Sequence, residues 1–235
     1  MSMRTTVAVV VTSLAMLGAP VVAVADPVAD TAGEPTNVGD AKIAATQYHD
    51  SGQYMTDLAE VAAQAMNWIG TQAPTTNRPA VVFDIDETSL SNWEVIKADD
   101  FGYFANGPCN LPDPCPFRSW DLLARSTVIQ PTLDTYNMAK SLGMAVFFIT
   151  GRDEGQRAAT EKNLQSAGYT GYNRLIMEPI GVKYQSATDF KAPQRAAIEG
   201  EGYTIVANIG DQPSDLAGGH AERTFLLPDP FYRIP

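Results

Sequence analysis

The sequence has only two cysteines, Cys109 and Cys115, and only two histidines, His49 and His220, among its 235 residues. So few thiols and imidazoles leave a zinc cluster or a histidine-based nucleophile triad almost nothing to draw on. Basic residues are scarce as well: 16 Lys and Arg stand against 27 Asp and Glu, a formal net charge of −11. A surface of that sign repels nucleic-acid polymers and anionic lipid, so any phosphate-bearing substrate has to be small and locally attracted. Long apolar runs are missing too, except the one that opens the chain, from about Thr5 to Val22. With Arg4 before it and Ala23-Val24-Ala25 ahead of Asp26-Pro27, this run reads as a secretory signal over residues 1–25. It lacks the second Arg of a twin-arginine signal and the Cys of a lipoprotein signal. No later stretch reaches the roughly 18 to 20 apolar residues that a spanning helix needs. The expectation is a secreted or cell-envelope protein with no membrane segment after cleavage. In an exported chain, two cysteines this close together in a Pro-rich loop, Gly107 to Pro116, point to a disulfide.

What the chain does have is an apolar run that ends in acids, Ala80-Val81-Val82-Phe83-Asp84-Ile85-Asp86-Glu87-Thr88. The run suits a central strand covered on both faces, and residues two apart in an extended segment point the same way. Asp84 and Asp86 are therefore expected as neighbours at a strand's carboxyl end, where open α/β sheets bind ligands. Their mutual repulsion calls for a cation, a shared proton, or both.

The surrounding pattern fits such a sheet. Residues 26–37 are rich in Pro, Gly, Ala and Asp and read as a mobile leader. From about Val38 to Ile69, Tyr54, Leu58, Val61, Ala65 and Trp68 recur at helical spacing. A long insertion, about 89–130, carries Trp93, Tyr103, Phe104, Phe117, Trp120 and both cysteines, and reads as a cap over the acids. Three times a helix then stops at glycine and feeds an apolar strand: 133–141 into 145–149, 154–167 into 175–177, and 193–199 into 203–209. A last strand, 224–227, precedes a Pro-rich tail. The predicted architecture is α/β, a doubly wound parallel sheet with an N-terminal helical segment and a small cap after the first catalytic strand, all within residues 38–235.

Each central strand ends in polar residues. Ile149 leads into Thr150-Gly151-Arg152, a hydroxyl and backbone N–H groups where a helix is expected to begin, which suits an anion. Ile209 leads into Gly210-Asp211-Gln212-Pro213-Ser214-Asp215, and Lys191 is expected to open the helix before that strand. In this order the motifs resemble those of the haloacid dehalogenase superfamily, and most closely its secreted acid phosphatase branch, subfamily IIIB. That branch includes bacterial lipoprotein acid phosphatases and plant vegetative storage proteins. The finer likeness lies in Asp84-Ile85-Asp86-Glu87-Thr88, in Asn208 to Gln212 with Asp215-Leu216, and in Leu227-Pro228-Asp229-Pro230-Phe231-Tyr232.

The resemblance implies roles. Asp84 would accept the phosphoryl group; Asp86 would protonate the leaving oxygen and then activate water. Thr150, Gly151 and Lys191 would hold phosphate oxygens. Asp84, Asp211 and the backbone carbonyl of Asp86 would bind Mg2+, and Asp215 would orient Lys191 or a metal-bound water. Four carboxylates and one ammonium sum to about −3, a divalent cation brings that to about −1, and a proton on Asp86 to about zero, so a phosphate dianion needs both. An all-oxygen site suits magnesium better than zinc.

Three points stay open on the residues alone. Lys183 lies near Lys191 and is the alternative phosphate ligand; Arg152 reads either as a phosphate contact or as a structural ion pair; and Phe117, Trp120 and Tyr232 either stack a substrate or pack the cap. The expected function is a secreted, magnesium-dependent acid phosphatase acting on small phosphomonoesters, 5′-nucleotides among the candidates, through an aspartyl-phosphate. The alternatives are phosphotransfer to an alcohol, or a catalytically inactive storage or binding protein on the same scaffold.

Overall fold

The computed structural model of the chain describes residues 35–104 and 107–234. The expected signal, 1–25, and all but the last three residues of the expected leader lie outside the described residues. One compact unit begins at Asn37. Asn37 caps the first helix, α1 (Val38–Asp50), accepting from the Gly39 N–H at 2.8 Å. The continuous helical stretch expected over 38–69 is in fact two helices. Gly52 adopts φ +84°, a backbone state that only glycine enters at little cost, and this breaks the chain between α1 and α2 (Gln53–Gln72). Helix α2 buries Tyr54, Leu58, Ala62, Ala65 and Ile69. The half-buried Trp68 ties it to the sheet through an indole N–H donated to the Val206 carbonyl at 2.7 Å. Among the described residues no helix is long and apolar enough to cross a membrane.

The central sheet has five parallel strands in the order β5-β4-β1-β6-β7, where β1 is Pro79–Phe83, β4 Ala145–Asp153, β5 Arg174–Glu178, β6 Thr204–Gly210 and β7 Thr224–Leu226. Strand β1 lies in the middle and is apolar on both faces. Val81 and Phe83 join a core with residues of α2, α5 (Gln130–Ser141) and α6 (Arg157–Ser166), while Ala80 and Val82 join one with Phe190 and Ile198 of α7 (Ala187–Gly200). Full burial of side chains of this size is worth about 1.5–3 kcal/mol each, so a polar substitution in β1 would damage both layers at once.

Two boundaries differ from expectation, and both move functional residues. Helix α7 starts at Ala187 rather than at Pro193, because Ser186 and Asp189 form a reciprocal capping box. Pro193 is thus inside the helix, and Lys191 sits on its second turn instead of opening it. Strand β4 continues through Thr150-Gly151-Arg152 to Asp153, and a short 3-10 turn, Glu154–Gln156, precedes α6. The Thr-Gly-Arg segment therefore lies on a strand end, where pairing with β5 slips between Thr150 and Asp153, and not at a helix N-terminus.

The insertion leaves and rejoins the domain through a two-residue antiparallel ribbon, β2 (Leu90–Ser91) against β3 (Thr127–Val128). Between them lie α3 (Trp93–Ala98) and α4 (Phe117–Leu123). The Cys109–Cys115 disulfide closes the loop ahead of α4. Cys115, Val95 and Trp120 form a small core of their own, and the Asp99 carboxylate accepts the Cys115 N–H at 2.7 Å.

Candidate active site

The site forms where β1, β4 and β6 end. Asp84 follows the last residue of β1 and extends the sheet by one bond, its N–H donating to the Ile209 carbonyl at 2.9 Å. Beyond it the chain turns back on itself: the N–H groups of Ser89 and Leu90 both donate to the Ile85 carbonyl at 2.8 Å, and the Ser89 hydroxyl donates to the Asp84 carbonyl at 2.7 Å. Glu87 takes φ +47° in this turn. Because the strand stops at Phe83, strand alternation no longer governs the two acids, and Asp84 and Asp86 find different partners.

Asp84 is buried and accepts from the Lys191 ammonium, which also donates to Asp215 Oδ1 at 2.6 Å. Lys191 is itself buried, whereas Lys183 is exposed, so the ammonium in the site is Lys191. Burial pushes the Asp84 carboxyl up to about 7, with Lys191 pulling it back and the charges of Asp215 and Asp86 adding to the rise. The pair of carboxylates around Lys191 outweighs its own desolvation and keeps it protonated.

Asp211 stands at the end of β6, accepting from the Thr88 hydroxyl at 2.8 Å and from the Gln212 amide at 2.8 Å. Burial, then the charges of Asp215, Asp84 and Asp229, push its carboxyl well above the usual range. One oxygen each from Asp84, Asp211 and Asp215 lies within 4.8 Å of the others. Buried carboxylates crowded in this way, with one ammonium between them, could hold a hard divalent cation through oxygen. Asp215, expected only to orient Lys191 or a metal-bound water, thus stands among the candidate ligands. Gly210 permits this approach, since a Cβ there would meet the Asp215 Cβ at 2.7 Å and Oδ2 at 2.8 Å.

Asp86, its side chain 24% exposed, pairs with Arg152 instead of Lys191, while its charge still acts on Asp84. Arg152 Nε lies 3.2 Å from both of its oxygens, and Arg152 Nη2 donates to Oδ1 at 2.5 Å, as does the Asn92 amide at 2.8 Å. Desolvation raises this carboxyl, but the Arg152 charge and the bonds from Arg152 and Asn92 outweigh it and hold it below the ordinary value. Arg152 is therefore an ion-pair partner of Asp86 and also of Asp121, whose Oδ1 lies 3.1 Å away. Thr150 is buried beside them, its hydroxyl oxygen accepting the Arg152 N–H at 3.2 Å, and Gly151 is exposed at the mouth.

The three aromatics separate. Phe117 and Tyr232 are half-buried with ring centroids 6.0 Å apart, and the exposed Tyr103 stacks on Phe117 at 6.1 Å. Tyr232 also directs its hydroxyl at Asp211 Oδ2, 3.4 Å away. Trp120 does not offer a stacking face: it is 1% exposed, and its indole N–H donates to Asn92 Oδ1 at 2.8 Å inside the cap core. Asn92, Asp121, Glu87 and Asp229 also belong to the site's surroundings and were not singled out as acting residues from sequence. Asp229 had a signal, its place in the Leu-Pro-Asp-Pro-Phe-Tyr tail, and it accepts the Gln212 amide at 2.7 Å.

The loop carrying Asp211 and Asp215 is braced by Arg195 of α7. Its buried guanidinium donates to the carbonyls of Asp215 at 2.7 Å and Gly219 at 2.9 Å, and to that of Ala217. Arg195→Lys cannot serve all three acceptors, so it should destabilise the protein by about 2–4 kcal/mol, read from urea unfolding; a loss below about 0.5 kcal/mol would show that water replaces the brace.

A parallel α/β domain with a strand-end aspartate, a lysine shared with a second aspartate and a third aspartate completing an oxygen cluster defines a phosphohydrolase site of the haloacid dehalogenase type. The model of the HAD superfamily, subfamily IIIB (acid phosphatase), matches residues 18–235, and the chain belongs to that family of phosphomonoester hydrolases. Among its relatives, the stem 28 kDa glycoprotein of Glycine max is 34% identical over 194 residues, covering 81% of this chain and 74% of that one. Acid phosphatase 1 of Solanum lycopersicum is 35% identical over 158 residues, 67% of this chain and 60% of that one. In fold, the chain is similar to the class C acid phosphatase from Bacillus anthracis, with a TM-score of 0.66 at 18% identity over 83% of this chain and 86% of that one.

Proposed function

We propose that this protein is an exported, magnesium-dependent acid phosphatase that hydrolyses small phosphomonoesters through a phosphoryl group carried on Asp84. The observation that carries the reading is Lys191 held between Asp84 and Asp215, with Asp211 within ligand distance of both carboxylates. Asp84, Asp211 and Asp215 would hold the cation, whose bound charge offsets that of the incoming phosphate. Lys191, the Thr150 hydroxyl and the Gly151 N–H receive the phosphate oxygens at the strand ends. A carboxylate oxygen of Asp84 forms the bond to phosphorus as the bond to the leaving oxygen breaks, and Asp86 delivers a proton to that oxygen. Asp86 then takes a proton from water, which attacks phosphorus and releases Asp84. The ionised Asp86 that Arg152 and Asn92 stabilise is the form required as a base. A phosphate dianion arriving beside it favours the protonated form, which is the one required as an acid. Phe117 and Tyr103 at the rim offer ring faces to an aryl or nucleobase leaving group.

A phosphate-release screen across aryl phosphates, sugar phosphates and nucleotides, with and without magnesium, tests the activity. Added alcohol acceptors would reveal phosphotransfer. Release should require the metal and favour aromatic esters; a mature protein inert toward every ester would leave the storage reading standing.

A further inference from the structure

Asp86 is held by two residues, and the cap holds both of them. Asn92 is wholly buried and has every side-chain hydrogen-bonding position filled. Its amide N–H groups donate to Asp86 Oδ1 at 2.8 Å and Glu87 Oε2 at 3.0 Å, while its oxygen accepts from the Trp120 indole at 2.8 Å and the Ser126 hydroxyl at 2.7 Å. Arg152 is 3% exposed; besides gripping Asp86, its Nη2 lies 3.1 Å from Asp121 Oδ1. Asp121 is in turn fixed by the Gln156 amide, which donates to its Oδ2 at 2.7 Å. Trp120 and Asp121 are consecutive residues of α4, the cap helix that follows the disulfide. One turn of the cap thus directs both the amide and the guanidinium that aim the Asp86 carboxylate.

We propose that Trp120 and Asp121 are positioning residues for proton transfer by Asp86, so that the seating of α4 sets how well the leaving oxygen is protonated. This rests on Asp86 acting as the acid. An indole fixes which way the Asn92 amide faces, because an oxygen accepting from Trp120 and Ser126 leaves the N–H groups pointing at Asp86 and Glu87. The Asp121 carboxylate, whose Oδ1 lies 3.1 Å from the same Nη2 that grips Asp86 and accepts no hydrogen bond there, pairs with the guanidinium by charge and draws it toward α4. Neither side chain needs to meet substrate, since Trp120 is 1% and Asp121 5% exposed.

The distinguishing measurement is kcat/KM for phosphomonoesters whose leaving groups run from nitrophenol through phenol to a simple alcohol, since poor leaving groups depend most on the proton. In Asp121→Asn and Trp120→Phe, kcat/KM should fall about 10- to 100-fold for the alkyl ester and less than about 3-fold for the nitrophenyl ester, a part of the 10²–10⁴ that general acids contribute. A structural role would lower all esters alike through the folded fraction, so an equal fall across the series, or none, overturns the proposal. Trp120→Phe keeps an aromatic in the cap core and carries the test if Asp121→Asn does not fold. Asp86→Asn in the same series separates the two readings. If it steepens the dependence on leaving group and the cap variants do not, this proposal alone fails. If Asp86→Asn leaves the dependence unchanged, Asp86 is not the acid, and both readings fail together.

Discussion

Asp84→Asn should yield a folded protein with no measurable phosphate release. In the proposed mechanism this carboxylate forms the bond to phosphorus, and an amide oxygen is a far weaker nucleophile. The same change would weaken the candidate cation site, to which Asp84 contributes one of three converging oxygens. It also removes a negative charge beside Lys191, which keeps Asp215 as its partner at 2.6 Å, so the ammonium is not orphaned and the fold should survive. Asp86→Asn should fail differently. Asp84 remains able to attack a substrate with a good leaving group, while water activation is lost, so the phosphoryl-enzyme should accumulate. Rapid acid quenching followed by peptide mass spectrometry would find the phosphoryl group on Asp84. Phosphate on another residue, or undiminished turnover in Asp84→Asn, would refute the mechanism.

Removing divalent cations should abolish turnover, and the metal's effect on stability should depend on pH in a definite direction. Several buried carboxyls hold their protons tighter folded than unfolded: burial pushes Asp84 and Asp121 to about 7 and Asp229 to about 6. For a group raised in this way, the stability it contributes is fully present below its unfolded value, near 4 for an aspartate, and is lost as pH rises through the folded value. The metal-free protein should therefore melt at progressively lower temperature between about pH 4 and pH 7. Asp86, held below its ordinary value, works in the opposite sense, but its stabilisation is lost only in stronger acid. Magnesium held at this cluster would compete with the protons on Asp84 and Asp211, and so would bind better once they have left. Its addition should raise the melting temperature more at pH 7 than at pH 5 and flatten the pH profile. Equal melting curves with magnesium and with chelator at pH 7 would contradict the assignment of this carboxylate cluster as a metal site.

The sheet was legible because each strand is a short apolar run next to a glycine or a turn, as with Ile205 to Gly210, and such runs depend little on distant partners. The acids were legible for the same reason, since Asp84 and Asp211 directly follow or adjoin those runs. Three features were harder to read. The partner of Asp86 was hard to read because Arg152 lies 66 residues further on, and its sequence context suits a phosphate contact as well as an ion pair. The start of α7 was misplaced because Pro193 suits a first helical turn, while the competing signal, Ser186 with Asp189, uses a shorter acid than the usual Glu or Gln. The fate of Trp120 depended on Asn92, 28 residues earlier, and on Ser126. Nothing in the local sequence around an aromatic tells whether such a partner will meet it.

The ribbon of Leu90–Ser91 against Thr127–Val128 gives the cap a single narrow doorway into the domain. The loop between the ribbon's strands can therefore change length without breaking any pairing of the main sheet. A transplanted cap would bring its own rim and so a new choice of ester. To work, it would also have to bring an indole and a carboxylate, side by side, to the places that Trp120 and Asp121 occupy. Diversification of this scaffold is thus confined where the cap meets the domain, at the turn of Trp120 and Asp121 and where Trp93 stacks on His49 and Phe117 packs near Tyr232.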